Sequence, residues 1–225
     1  MNVDSMKGRI RSEVRKMTRF IRKPMTNPPY SAAVQDRIEE LADDVRYASL
    51  ALAIQRLKTE GIKGSFAEFG VYQGRTSKFL HELAPERRLY LFDTFAGFPQ
   101  GDAQAANDDR FQDTSQESVA RFIGDLQNVI FRAGFFPETA AGLEDERFSL
   151  VMLDCDLYQS ALAGLRFFYP RLIAGGYFFL HDYNSSESEH AIMRAASEFL
   201  EDKPELLFEI PDQWGSAVFR KISNG

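Results

Sequence analysis

From Ser65 onward, short apolar runs alternate with stretches in which apolar residues recur every three or four positions. Seven runs have the length and the β-branched or aromatic content of strands: SFAEF, RLYLFD, NVIFRA, FSLVMLD, GYFFLHD, LLFEI and SAVFRK. Helical stripes separate the first five, which predicts βαβ units around a mainly parallel sheet. Ala161, Leu162, Leu165, Phe168, Tyr169 and Leu172 form the clearest stripe, and Gly175 and Gly176 are expected to end it. Ser186 and Glu189 have the spacing of a capping box ahead of the stripe Ile192, Ala195, Phe199 and Leu200. Only PDQWG separates the last two runs, so they are expected to close the sheet as an antiparallel hairpin.

Ahead of this domain (65–225) the pattern is wholly helical. Ser31 is placed to cap a helical region (31–64) that runs toward Lys58, with Ile38, Leu41, Val45, Leu50, Ile54 and Leu57 inward and Gly61 and Gly64 closing it. Before that, Met6, Ile10, Val14, Met17 and Ile21 mark an amphipathic helix, followed by the proline-rich linker KPMTNPPYS; together they form the segment 1–30. That helix carries Lys7, Arg9, Arg11, Arg15, Lys16, Arg19, Arg22 and Lys23 against Asp4 and Glu13. An arm packed on the body or on a second subunit, most simply in a homodimer, is the expected role, with attachment to an anionic membrane surface the rival.

The whole chain carries a net charge of −6. With the basic residues gathered at one end, the main body is strongly acidic, which argues against nucleic-acid binding. No apolar run approaches the roughly 20 residues that span a bilayer, so stable membrane insertion is not expected. A single cysteine, Cys155, excludes an intrachain disulfide, and the cytoplasm is the expected compartment.

The chemistry lies at the carboxyl ends of the strands, where open α/β sheets bind ligands. The first strand runs into Glu68, Gly70, Tyr72, Gly74 and Thr76, a glycine-rich turn leading to a helix. Its G-x-x-x-G spacing differs from the dinucleotide G-x-G-x-x-G, and Glu68 would repel a pyrophosphate. Asp93 ends the second strand, positioned for ribose hydroxyls. An acid beside the first glycines suits a positively charged amino-acid end, and the pair describes S-adenosylmethionine. Gly134 and Phe135, after the third strand, offer a close approach and an aromatic face for adenine. Asp154 and Asp156 end the fourth strand, and His181 and Asp182 the fifth. Carboxylates and an imidazole crowded at adjacent tips need a positive charge among them, and a divalent metal that acidifies a substrate hydroxyl would supply it.

AEFGVYQGRTS, LFDTFAGFP, LDCDLYQSA and HDY, in this order, resemble the signatures of the macrocin O-methyltransferase (TylF/MycF-type) family over roughly residues 46–220. The resemblance implies a Rossmann-like, seven-stranded class I methyltransferase fold and methyl transfer from S-adenosylmethionine to a hydroxyl of a small molecule, typically on a natural-product sugar, with magnesium bound. It implies Asp154 and Asp182 as metal ligands, Asp156 as general base, and Glu68, Gly70, Gly74 and Asp93 as cofactor contacts. His181 replaces the first Asp of the family's Asp-Asp-Tyr. As a ligand it would favour manganese, iron or zinc over magnesium; as a base it would allow a metal-independent reaction. An adenosine-ligand-binding scaffold without catalysis is the reading from another class.

Overall fold

The computed structural model describes residues 30–41, 43–98, 103–105 and 108–222. The expected basic helix and most of its linker lie outside these residues. Two helices, α1 (Ala32–Glu39) and α2 (Asp44–Thr59), lead into β1 (Ser65–Phe69), α3 (Arg75–Leu83) and β2 (Leu89–Asp93). There follow α4 (Gln116–Ile123), β3 (Val129–Ala133), β4 (Phe148–Leu153), α5 (Tyr158–Phe168), β5 (Leu172–Leu180), α6 (Ala191–Leu200), β6 (Phe208–Ile210) and β7 (Ser216–Arg220). The sheet order is β3-β2-β1-β4-β5-β7-β6. The first five strands pair parallel, while β7 runs antiparallel to both β5 and β6.

Alternate residues of each central strand face opposite sides, and both sides are covered. Phe69, Phe92, Val151, Leu153 and Phe178 pack against α5 and α6. Phe66, Leu91, Leu150, Met152 and Phe179 pack against α2, α3 and α4. This is why the strands read as nearly continuous apolar runs and why only their ends are free to carry charge.

Four expectations are corrected. The helical region is two helices, α1 and α2, and Asp43 caps α2 by accepting from the Arg46 amide. The break resets the helical phase and leaves Val45 38% exposed, while Tyr47, Leu50, Ile54 and Leu57 turn inward. Gly61, at φ +67, does close α2: its amide and that of Ile62 bond back to Lys58 and Leu57 in a Schellman pattern. Gly175 and Gly176 terminate no helix. That helix ends at Phe168, and both glycines lie inside β5, with Gly175 against the Ile62 side chain. Ser186 and Glu189 form a turn and not a capping box; α6 begins at Ala191 behind His190, which caps nothing with its side chain. The sixth strand is shorter than expected, since Leu206 is 87% exposed and outside it.

The C-terminal strand is pinned by a buried polar cluster. Tyr169 Oη donates to Glu205 Oε2 at 2.6 Å, and the other Glu205 oxygen accepts from the Ile222 amide at 3.0 Å. Burial pushes the Glu205 carboxyl upward, but the Tyr169 hydrogen bond, the Ile222 amide and Lys221 outweigh it and hold it below its usual range. Tyr169→Phe should therefore cost about 1–3 kcal/mol at neutral pH, the scale of a hydrogen bond to a buried charged group. Because the folded-state value is the lower one, that contribution is present above the unfolded value and fades as pH falls through the folded one. Thermal melts of wild type and variant should converge in acid; a difference that persists unchanged there would contradict the assignment.

Candidate active site

Gly70 governs how the first strand tip meets the fourth. A Cβ added at Gly70 would lie 1.8 Å from the Asp154 carbonyl oxygen, and its φ is +91. The Asp154 amide in turn donates to the Phe69 carbonyl at 2.7 Å. What approaches this glycine closely is the chain of the acidic segment. Gly74 sits at φ +76 as the N-cap of α3, with Val119 where its side chain would be.

Asp93 holds the loop that follows. Its Oδ2 accepts from the amides of Val71 at 2.6 Å and Tyr72 at 2.9 Å, and its Oδ1 from Phe95 at 2.7 Å. The lone pairs still free on the two oxygens can take a ligand hydroxyl. Tyr72 and Phe95 both have positive φ, as do Asp156 and Asp182 at the other strand tips. Such backbone strain gathers where surrounding structure fixes a loop for function.

Glu68 is 1% exposed, and burial raises its carboxyl well above the usual range against the Ser77 hydroxyl that donates to it. A buried acid of this kind gains from a cationic ligand group. Arg46 and Tyr47, from the first turn of α2, form the adjoining wall, and the Tyr47 hydroxyl lies 3.2 Å from Thr76 Oγ1 at the start of α3. Phe135 is half exposed, because its neighbour Phe136 is locked between Phe69, Phe92 and Phe168 in the core.

At the fourth and fifth tips, His181 Nδ1 lies 2.7 Å from Asp154 Oδ1 and 3.2 Å from Asp182 Oδ2. Burial disfavours the imidazolium, but Asp154 and Asp182 outweigh it and push His181 up to about 10. Asp154 is held low: burial opposes its charge, and His181 and Arg46 prevail. Asp156 is pushed up to about 8 by burial and by the nearby charges of Asp154 and Asp182.

These residues line one cavity of about 650 Å³. It takes in every expected site residue except Gly74: Glu68, Gly70, Tyr72, Thr76, Asp93, Gly134, Phe135, Asp154, Asp156, His181 and Asp182. Gly74, marked out by glycine spacing, is the N-cap of α3. The wall residues that were not anticipated include Arg46, Tyr47, Arg110, Phe111 and Trp214. Arg110 and Phe111 belong to a polar stretch between β2 and α4 in which no one residue stands out in sequence. Arg46 and Tyr47 sit in an apolar helix pattern, and Trp214 in the hairpin turn.

The seven-stranded sheet with its reversed last strand, and a cavity at the carboxyl ends of the parallel strands, define the class I methyltransferase fold. Residues 40–205 match the family model described as Macrocin-O-methyltransferase (TylF), and the chain belongs to that family. Among curated relatives, it is 26% identical over 156 residues to 8-demethyl-8-(2,3-dimethoxy-alpha-L-rhamnosyl)-tetracenomycin-C 4'-O-methyltransferase of Streptomyces olivaceus, covering 61% of this chain and 60% of that protein. It is 25% identical over 162 residues to mycinamicin III 3''-O-methyltransferase of Micromonospora griseorubida, covering 61% and 62%. The chain thus spans about three fifths of the length of the curated relatives it matches. The solved structure of the O-methyltransferase NovP superposes with a TM-score of 0.68 at 22% identity, covering 80% of each chain. Among the described residues, no helix is long and apolar enough to cross a membrane.

Proposed function

We propose that the protein is an S-adenosylmethionine-dependent O-methyltransferase that acts on a hydroxyl of a sugar-bearing or related natural product. The observation that carries this reading is the single cavity with two chemically distinct ends. Glu68, Asp93 and Phe135 suit a cationic amino acid, a ribose and an adenine at one end; Asp156 stands beside Asp154, His181 and Asp182 at the other. The two relatives named above are both O-methyltransferases, which supports the reaction class.

The second end also fits a divalent metal. One ligand atom from each of Asp154, His181 and Asp182 lies within 4.8 Å of the others, and among the described residues His181 Nε2 and Asp182 Oδ1 are buried without hydrogen-bond partners. Those three side chains would hold the ion, and the imidazole suits manganese, iron or zinc better than magnesium. A bound ion supplies positive charge that lowers the pKa of a nearby hydroxyl. Bound S-adenosylmethionine supplies a methyl group on a cationic sulfur, open to in-line attack.

The chain's own task is alignment and proton transfer. Asp93 and its three amide partners hold the loop facing the cofactor, and Phe135 offers its face to adenine. Asp156 in its ionised form accepts the proton of the acceptor hydroxyl at a carboxylate oxygen, and the shift to about 8 makes that carboxylate a stronger base. Without a metal His181 is a poor base, because its pairing with two carboxylates favours the imidazolium; as a metal ligand it would give up that proton. This weighs against a metal-independent reaction run by His181.

Calorimetry with S-adenosylhomocysteine, and methyl transfer to a panel of glycosylated hydroxyl compounds, test the reading. Chelation should abolish transfer and leave S-adenosylhomocysteine binding largely intact, and manganese, iron or zinc should restore activity at least as well as magnesium. Full activity after chelation, with no metal found by elemental analysis, would remove the ion from the scheme. Absence of S-adenosylhomocysteine binding would remove the scheme itself.

A further inference from the structure

Arg46 is a partly buried cation whose donors are largely unused. Its side chain is 15% exposed, in the first turn of α2. Among the described residues, its one hydrogen bond from the guanidinium runs from Nη2 to the Tyr47 hydroxyl at 3.2 Å, and Nε is buried without a partner. Asp154 Oδ2 and Asp43 Oδ2 stand 3.7 and 3.9 Å away, close enough for charge but beyond hydrogen-bond length. A guanidinium in this state lacks the planar acceptor its fork is built for.

Its neighbours say what that acceptor is. Arg46 lines the same cavity as Glu68 and contributes to that carboxyl's electrostatics. The two are also tied structurally: Tyr47, next to Arg46, contacts Thr76, and Ser77, next to Thr76, donates to Glu68. The start of α2 and the end of β1 thus bring a guanidinium and a carboxyl group to the wall of one cavity. A ligand end bearing both an ammonium and a carboxylate is complementary to that pair. The other arginines in the cavity wall are engaged or solvated: Arg110 is bidentate with Asp108, and Arg75 is exposed.

We infer that Arg46 binds the carboxylate of the cofactor's amino-acid end while Glu68 takes its ammonium, so that the site selects a zwitterion. The inference rests on the reading that this cavity holds S-adenosylmethionine, and it gives α2 a part in cofactor selection that the glycine-rich loop does not fill. In the free protein Asp154 then serves as a provisional counter-charge for Arg46, too distant to satisfy its donors.

S-adenosylmethionine and its decarboxylated analogue differ by that carboxylate alone, so calorimetry of the full chain with both isolates the contact. The wild type should prefer the intact cofactor by on the order of 30-fold, the range of a charge-assisted bidentate pair. Arg46→Gln should shrink the preference to about threefold or less, mainly by weakening the intact cofactor, with the analogue bound nearly as before. If Arg46→Gln binds neither ligand, Arg46→Lys is read in its place; lysine keeps the charge without the fork, and a reduced preference supports the inference. An undiminished preference in the variant read, or no preference in the wild type, overturns it. A wild type that binds neither ligand refutes the underlying cofactor reading instead.

Discussion

Asp156→Asn is expected to slow methyl transfer by roughly a hundredfold or more while the protein folds and binds cofactor as before. Loss of a positioned general base has that scale. The amide keeps the shape of the carboxylate but cannot take the proton. Stability should hold or rise slightly, because the substitution removes one of several like charges: burial, Asp154 and Asp182 already press Asp156 toward its neutral form. The contrast with Asp154 or Asp182 is the informative part, since those substitutions should also lower metal content. Single-turnover rates, elemental analysis and a melt on one preparation separate the cases. A wild-type rate in Asp156→Asn would show that the acceptor's proton leaves by another route.

Gly70→Ala is expected to be the most damaging single-methyl change in the site. The added carbon would fall 1.8 Å from the Asp154 carbonyl oxygen and 2.5 Å from its carbon, both backbone atoms that cannot rotate away. The φ of +91 adds strain for any residue with a side chain. Overpacking and backbone strain each cost a few kcal/mol, so a loss of about 4 kcal/mol is expected, a fall in Tm of roughly 10 °C for a chain of this length. The ends of β1 and β4 would have to separate, carrying the cofactor loop away from Asp154, so S-adenosylhomocysteine affinity should fall as well. A melt within two degrees of wild type would show that the tips yield more easily than their hydrogen bonds suggest.

The parallel core and the site's acids were legible because one rule produces both. In a sheet covered on both faces the strand interiors must be apolar, so Glu68, Asp93, Asp154 and Asp182 stand out as charges where the runs end. Their meeting follows from topology, since the sheet order sets β1 between β2 and β4 and places β5 beside β4. Gly70 was legible as a tight spot but not for what fills it, because the Asp154 carbonyl comes from a strand some eighty residues away. Arg46 and Trp214 were illegible for a related reason. Arg46 lies between Val45 and Tyr47 in an amphipathic pattern whose phase shifts at Asp43, and only the docking of α2 on the sheet shows which side it faces. The failed capping box at Ser186 is a local signal overridden by the turn that leads His190 into α6.

The hydrogen bond from the Gln213 amide to Asp43 Oδ2, 3.4 Å long, joins residues 170 positions apart. Asp43 caps the helix that carries Arg46, and Gln213 precedes Trp214, so the two walls of the cavity close on each other across nearly the whole described chain. Contacts of such span carry the largest loop-closure entropy and form only after the intervening elements have ordered. The parallel strands and their glycine-rich loop can assemble from nearer contacts, whereas the cavity is finished only when the terminal hairpin reaches back to α2. During refolding, sheet formation should therefore precede ligand competence, with the fluorescence of Trp214 reporting the later event.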